Sequence, residues 1–225
     1  MFAAIAPRYD LANRLLSMGL DQSWRRALVE ALPAMSAGDR VLDQCTGTGD
    51  VAVSLAAALP AEVVVHGSDF CEGMVELAPA KRRGGQTRPA FLVGDALHLP
   101  YPDESFRACT VAFGLRNVQD PPSALAEVRR VLQPGGRLAV LEFSKPTLPV
   151  FSTLYGFYVF RILPILGGLL TGSRAAYAYL PESVWAWPEP AALASAMEGA
   201  GLRMVEQRPF LLGAVMLHVA ERPSS

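Results

Sequence analysis

Residues 41–50, VLDQCTGTGD, carry an apolar strand into two glycines one residue apart, and a second run at 63–69, VVVHGSD, ends on a single acid, Asp69. Gly47 and Gly49 allow the backbone to turn sharply and to approach a ligand that a side chain would hold off, while a carboxylate at the tip of the next strand is placed to accept both hydroxyls of a ribose. Together they predict a nucleoside pocket at the strand ends of an α/β sheet.

The loop alone leaves the ligand open. Gly47, Gly49 and Ala52 satisfy the loose G-x-G-x-x-A form of the dinucleotide fingerprint. Asp50 argues for a different ligand, because it opens the following helix where a pyrophosphate would sit, and a fixed negative charge there repels a dianion but tolerates a cation or zwitterion. S-adenosylmethionine, with its sulfonium and ammonium, suits such a site. Helix capping is the alternative role for Asp50.

Outward from this loop, short continuous apolar runs recur at 40–45, 63–68, 90–94, 107–113 and 137–143, as expected of parallel strands covered on both faces. Helical patterns fill 50–58, 72–81 and 122–132, the last stopped by the PGG turn at 134–136, and two more at 3–18 and 22–33 form an amino-terminal cap with Trp24 and Leu28 on one face. Strands near 202–209 and 214–221 are linked through Leu212 and Gly213, a connection short enough to demand antiparallel pairing. No second glycine loop marks a second nucleotide half, which excludes the dinucleotide reading in favour of a methyltransferase-type sheet. At the end of the third strand, GDALHLPYPDESF (94–106) places Asp95 to accept from an adenine amino group and Ala96 to offer its N–H to a ring nitrogen, with a turn-capping role as the alternative for Asp95.

A length of 225 residues fits one α/β domain spanning 1–225, with 1–35 as the helical cap. A formal net charge of -1 leaves no basic field for nucleic acid, and the cluster Lys81, Arg82, Arg83 reads as a solvated helix end. The three cysteines, Cys45, Cys71 and Cys109, lie in or beside apolar strands with no C-x-x-C spacing, the reduced cytosolic pattern, and Cys45 has no base assignable from sequence. His66, His98 and His218 are scattered, so no metal is expected. The amino terminus shows no charged stretch leading into an apolar core, hence no secretory signal.

Longer strings now carry a resemblance: FAAIAPRYDLANRLLSMGLDQSWRR (2–26), LDQCTGTGD (42–50), GDALHLPYPDESF (94–106), FGLRNVQDPPSALAEVRRVLQPGGRLAVLEFSKP (113–146) and AYAYLPESVWAWP (176–188). Over nearly its full length the chain resembles the ubiquinone and menaquinone biosynthesis C-methyltransferases, with FGLRNV, LEFSKP and the Tyr177–Ser183 segment as the specific parts. CTGTGD resembles the demethylmenaquinone branch more than the AGGTGD-type loop of bifunctional members. The resemblance implies a class I, Rossmann-like methyltransferase fold with a seven-stranded, mostly parallel sheet and an antiparallel last strand. It implies transfer of a methyl group from S-adenosylmethionine to a ring carbon of a polyprenylated naphthoquinol, giving menaquinol from demethylmenaquinol. Cofactor contacts then fall on Thr48, Asp69, Asp95 and Ala96, with Gly47, Gly49, Phe70 and Ala112 completing the set. Many members carry Ser where this chain has Ala112, so only packing or backbone contact survives there.

Arg116 and Asn117 follow the fourth strand at the ligand edge and are the candidates to stabilise a developing phenolate and to orient the quinol oxygen or a water. Pairing of Arg116 with Asp120 or Glu127 is the structural alternative. Tyr177 and Tyr179 are secondary candidates, with core packing as the competing role. The run Val150–Thr171, VFSTLYGFYVFRILPILGGLLT, has the length of a membrane span, but Arg161, Pro164 and the Gly167–Gly168 pair argue against insertion. It reads as two apolar helices within a covering insertion, 147–183, that meets the membrane surface where a prenyl tail resides, on a cytoplasmic protein peripheral at the inner face. A homodimer interface or core insertion is the alternative. Three other functions remain: a bifunctional ubiquinone and menaquinone enzyme, a methyltransferase of another lipid or phenol, and a non-catalytic quinone-binding scaffold, which would need none of the cofactor acids.

Overall fold

The computed structural model describes residues 14–82, 88–146, 148–171 and 174–224, with the side chains of 170–178 outside that description. The expected helix at 3–18 and Arg83 therefore fall largely or wholly outside the described residues. Seven strands form one sheet: β1 (Arg40–Gln44), β2 (Val64–Asp69), β3 (Ala90–Val93), β4 (Phe106–Ala112), β5 (Leu132–Phe143), β6 (Arg203–Phe210) and β7 (Val215–Glu221), in the order β3-β2-β1-β4-β5-β7-β6. Every pairing from β3 across to β5 is parallel, and β7 is antiparallel to both β5 and β6. The short β6–β7 link is made with Leu211, Leu212 and Gly213 all at positive φ.

Alternation along each strand divides the core. Val41 and Val65 face α1 (Asp21–Glu30) and α2 (Asp50–Ala58), where Trp24, Leu28 and Leu55 are buried. Leu42, Phe106, Cys109 and Leu138 face α4 (Pro121–Val131) and α8 (Pro190–Gly199), packing on Leu125, Val128, Leu193 and Met197. Between β2 and β3 the expected helix 72–81 is reduced to α3 (Glu72–Val75) and a 3-10 turn at Ala78–Lys81, because Pro79 removes a helical donor. The PGG turn does not separate helix from strand: α4 ends at Val131, β5 begins at once, and the turn is an irregularity within β5 with Gly135 at φ 71.

The apolar insertion departs from two helices broken at Pro164. Helix α5 (Pro149–Phe157) runs through a π turn (Tyr158–Ile162) directly into α6 (Leu163–Thr171). Proline lacks the N–H that would bond the carbonyl four residues back and crowds that turn, and the wider π turn just before Pro164 absorbs the defect without ending the rod. Helix α7 (Arg174–Ala186) folds back along α6.

Candidate active site

Strands β1 and β4 are adjacent at the centre, so the chain leaves β1 toward one side of the sheet and β4 toward the other, opening a crevice at their carboxyl ends. A cavity of about 720 Å³ occupies it, lined by the glycine loop, the ends of β2 and β4, the residues after β3, α1, and the insertion. That volume is in the range that encloses a drug-sized ligand.

The cofactor half lies along β1, β2 and β3. Asp69 ends β2 with Oδ2 accepting from Gly47 N–H at 2.8 Å and Oδ1 from Cys71 N–H at 2.8 Å. The Phe70 N–H also bonds the carboxylate, which is thereby fixed in direction while keeping acceptor capacity toward the cavity. Burial pushes its pKa up, opposed by the backbone N–H groups. Gly47 (φ 55) and Gly49 (φ 84) are left-handed; a Cβ on Gly47 would meet nothing within 4 Å, so its backbone borders open space, whereas one on Gly49 would strike Phe91 at 2.7 Å. Asp95 closes the turn, its Oδ1 accepting from Leu97 N–H at 2.9 Å, and its side chain stays partly exposed beside buried Ala96 in the cavity wall. Phe70, 78% exposed, forms an apolar rim, and Ala112 lines the wall without a hydroxyl. These residues fit a nucleoside with a short zwitterionic tail.

Two charge readings are corrected. Asp50 is not a bare negative charge, because Arg25 of α1 and Lys81 both bond its carboxylate, and Gly49 rather than an Asp50 side-chain bond caps α2. Burial raises the Asp50 pKa, but the two cations more than offset it and hold the carboxyl below its usual range. Lys81 is accordingly no solvated helix end: its Nζ reaches Thr48 Oγ1 at 2.8 Å, tying the glycine loop to the turn after α3. Arg82 lies over the Phe91 ring and donates to Pro89 O. The cavity's tolerance for a cationic ligand then rests on Asp69 as much as on Asp50.

Asp43 was passed over in the sequence, although a lone acid inside VLDQC was a signal. It is 1% exposed on β1 and lines the cavity, accepting from Thr46 Oγ1 at 2.6 Å and from Thr110 Oγ1 of β4 at 2.7 Å. It thereby pins the glycine loop to the central strands. Burial pushes the Asp43 carboxyl up to about 7 against the two threonine bonds. Next to it, Cys45 sits at φ 57, and burial and the nearby acids drive its thiol far above the thiolate range, so it has no nucleophilic character.

The second half lies between β4, β5 and the insertion. Arg116 follows β4 in a 3-10 turn (Leu115–Asn117) and pairs with neither Asp120 nor Glu127. Asp120 caps α4 through Ser123, and Glu127 holds Arg130 and the Leu99 N–H. The Arg116 partner is Glu142 of β5, 1% exposed, at 2.6 Å; Nη1 also donates to Phe113 O at 2.6 Å, and the guanidinium lies over the Phe143 ring. Asn117 Nδ2 lies 3.5 Å from Phe113 O, and its Oδ1 accepts from Tyr179 Oη of α7 at 3.3 Å. Arg116, Asn117 and Tyr179 thus share one part of the cavity wall. Tyr177 lies on α7 with its side chain outside the described residues. Two more phenols, Tyr155 and Tyr158, line this half, and apolar side chains fill in around them, among them Phe143, Phe151, Leu154, Val159, Leu163, Leu180 and Val184. The histidines stand elsewhere, His66 edge-on to Tyr101 and Phe106, and His218 with Nε2 at 3.1 Å from Pro190 O. Among the described residues no three His, Cys, Asp or Glu side chains gather as a metal site.

A model of the ubiE/COQ5 methyltransferase family matches residues 1–222. The chain belongs to that family. A demethylmenaquinone methyltransferase of Thermus thermophilus is 48% identical over 99% of this chain and 100% of its own length. The ubiquinone/menaquinone biosynthesis C-methyltransferase UbiE of Geobacter sulfurreducens is 43% identical over 99% of this chain and 87% of its own. The fold is that of class I methyltransferases, as in a SAM-dependent methyltransferase from Aquifex aeolicus, which superposes with a TM-score of 0.65 at 20% identity, covering 88% of this chain and 89% of that one. Family membership makes the protein a SAM-dependent methyltransferase.

Proposed function

We propose that this protein methylates a ring carbon of a polyprenylated hydroquinone, demethylmenaquinol to menaquinol being the reaction its site fits best. The observation that carries this reading is one continuous cavity with a nucleoside-binding polar half and an aromatic, apolar half that ends beside an exposed apolar helix. A planar ring with a hydrocarbon tail matches that division. When bound, S-adenosylmethionine supplies a sulfonium methyl whose bond to sulfur breaks as the new carbon–carbon bond forms, the electron pair remaining on sulfur. Asp69 holds the ribose, Asp95 and the Ala96 N–H hold the adenine, and Gly47 leaves room for the tail. Arg116 and Asn117 bind the oxygens of the quinol, whose deprotonation makes the ortho carbon nucleophilic, and the ring proton displaced by the methyl group leaves to solvent through the polar wall near Asn117 and Tyr179. Position and charge placement supply the acceleration.

The insertion at 147–183 is the substrate cover in this reading. Val150, Leu154, Phe157, Ile165 and Leu169 all point outward along one side of the rod, Val150 and Leu169 at 77% exposure, while Phe151, Tyr155, Tyr158, Val159 and Leu163 line the cavity. Leu154 belongs to both surfaces and marks the mouth. In this reading the rod lies on a membrane, a prenyl tail leaving the cavity there enters a hydrocarbon phase, and the enzyme works from the cytoplasm at the inner face. The relative from Geobacter favours one alternative, activity on both naphthoquinol and benzoquinol. Methyl-labelled S-adenosylmethionine offered with each quinol tests both: label in the naphthoquinol alone supports the menaquinone reaction, label in both a bifunctional enzyme, and label in neither, with cofactor bound, refutes the quinol reading.

A further inference from the structure

The acceptor half of the cavity contains a phenol that none of the sequence motifs marked. Tyr155 of α5 lines the wall between two aromatic rings: Phe151 stacks on it with centroids 5.9 Å apart and planes at 21°, and Trp185 of α7 with centroids 6.3 Å apart and planes at 17°. Two near-parallel ring contacts restrict how the Tyr155 ring can turn, which limits the directions its hydroxyl can take. The neighbouring phenols are engaged: Tyr158 Oη donates to Leu16 O at 2.9 Å, and Tyr179 Oη to Asn117. Arg116 is near enough for its charge to act on the Tyr155 phenol, and is itself anchored by Glu142 and Phe113 O.

We propose that Tyr155, beside Arg116, binds the acceptor oxygen next to the carbon that is methylated, donating a hydrogen bond that stabilises its phenolate form. This rests on the quinol reading of the site. Two observations support it beyond position. Burial and the neighbouring Tyr158 push the Tyr155 phenol up to about 12 despite Arg116, so near neutral pH it keeps its proton and can donate it to an anionic oxygen. The positive charge of Arg116 is balanced by Glu142, so a directed hydrogen bond, rather than net charge, has to select the anionic oxygen. Among the described residues, the charged and titratable groups that act on Tyr155 are Tyr158 on its own rod and Arg116 from the turn after β4, the latter paired with Glu142 of β5.

The test is Tyr155→Phe, which keeps the ring stack and removes only the hydroxyl. Methyl transfer to a reduced demethylmenaquinone analogue is measured between pH 6 and pH 9 for wild type and variant, with S-adenosylmethionine binding and thermal unfolding measured alongside. The expected result is unchanged cofactor affinity and unfolding temperature, a roughly 10–100-fold loss in kcat/KM for the quinol, and an acid limb of the pH profile moved to higher pH, because the bound phenol ionises less readily without its donor. An active wild type whose variant keeps both the quinol kcat/KM and the pH profile overturns the role of Tyr155 alone. A wild type that binds cofactor and methylates no quinol overturns the quinol reading and this inference with it. Should Tyr155→Phe unfold, the same pH profile taken on 3-fluorotyrosine at position 155, a more acidic phenol of nearly the same shape, decides the matter: a moved acid limb supports the proposal and an unmoved one overturns it.

Discussion

Asp43→Asn should change how the stability of this protein depends on pH. Asp43 is 1% exposed between β1 and β4, and burial pushes its carboxyl up to about 7 from an ordinary value of 3.8. The folded state therefore binds this proton more tightly than the unfolded chain, and its contribution to stability is fully present below about pH 4 and is lost as pH rises toward about pH 7. At 1.36 kcal/mol for each pKa unit the whole loss is about 4 kcal/mol, of which about 3 kcal/mol falls between pH 5 and pH 8. Asparagine keeps the shape, accepts from one threonine hydroxyl and donates to the other, and carries no charge at any of these pH values. Urea unfolding of both proteins at pH 5 and pH 8 isolates the term, since other titrating groups cancel in the difference. The stability of Asp43→Asn relative to wild type should improve by about 3 kcal/mol from the lower to the higher pH. A difference that stays level within about 0.5 kcal/mol would show that the carboxylate is already ionised in the fold at pH 5 and that the burial argument fails.

Asp69→Ala should abolish measurable S-adenosylmethionine binding in calorimetry without unfolding the chain, because it removes the acceptor for both ribose hydroxyls. A Cβ on Gly114 would lie 2.3 Å from the Cβ of Cys45, so Gly114→Ala should destabilise by about 1–3 kcal/mol. Cys45→Gly relieves the positive φ and opens that space, so the double variant should recover most of the loss in a denaturant cycle. Glu142→Leu leaves Arg116 buried without a counter-charge and should cost about 3–5 kcal/mol in unfolding free energy, most of it regained when Arg116→Met is added. Leu154→Glu with Phe157→Glu should weaken sedimentation with phospholipid vesicles and raise KM for a long-tailed quinol far more than for a tailless one; equal effects on both substrates would contradict a membrane-facing mouth.

The strands were legible because each is a continuous apolar run bounded by turn residues, and the antiparallel end because two residues cannot span a crossover. The cofactor half was legible for a related reason: glycine loop, Asp69 and Asp95 sit at strand ends, and strand order alone brings them to one edge. What the sequence hid were partners distant along the chain. Lys81 looked like a surface cation because Asp50 is 31 residues away, and Arg116 was matched to acids a few residues further along the chain when its partner lies 26 residues on. The insertion was misread at Pro164 because a π turn, which leaves no mark in composition, substitutes for a break.

Both overlooked acids nevertheless follow one rule. Asp43 in VLDQC and Glu142 in AVLEF are single charges in strands that helices cover on both faces, and such a group persists only where bonds compensate its burial. The sequence therefore marks that a partner exists, while the sheet order decides which. Strand β4 lies between β1 and β5, so Asp43 reaches Thr110 on β4 from one side and Glu142 reaches Arg116 just beyond β4 from the other. Strand β4 and the turn beyond it are thus tied from both flanks by buried carboxylates, one beside the glycine loop and one beside the proposed quinol site. A shift of β4 along either neighbour would break one of these bonds in a place water cannot repair. In the proposed reaction the sulfonium methyl and the ring carbon meet across that same strand, so the two acids would together hold the reacting groups at a fixed distance.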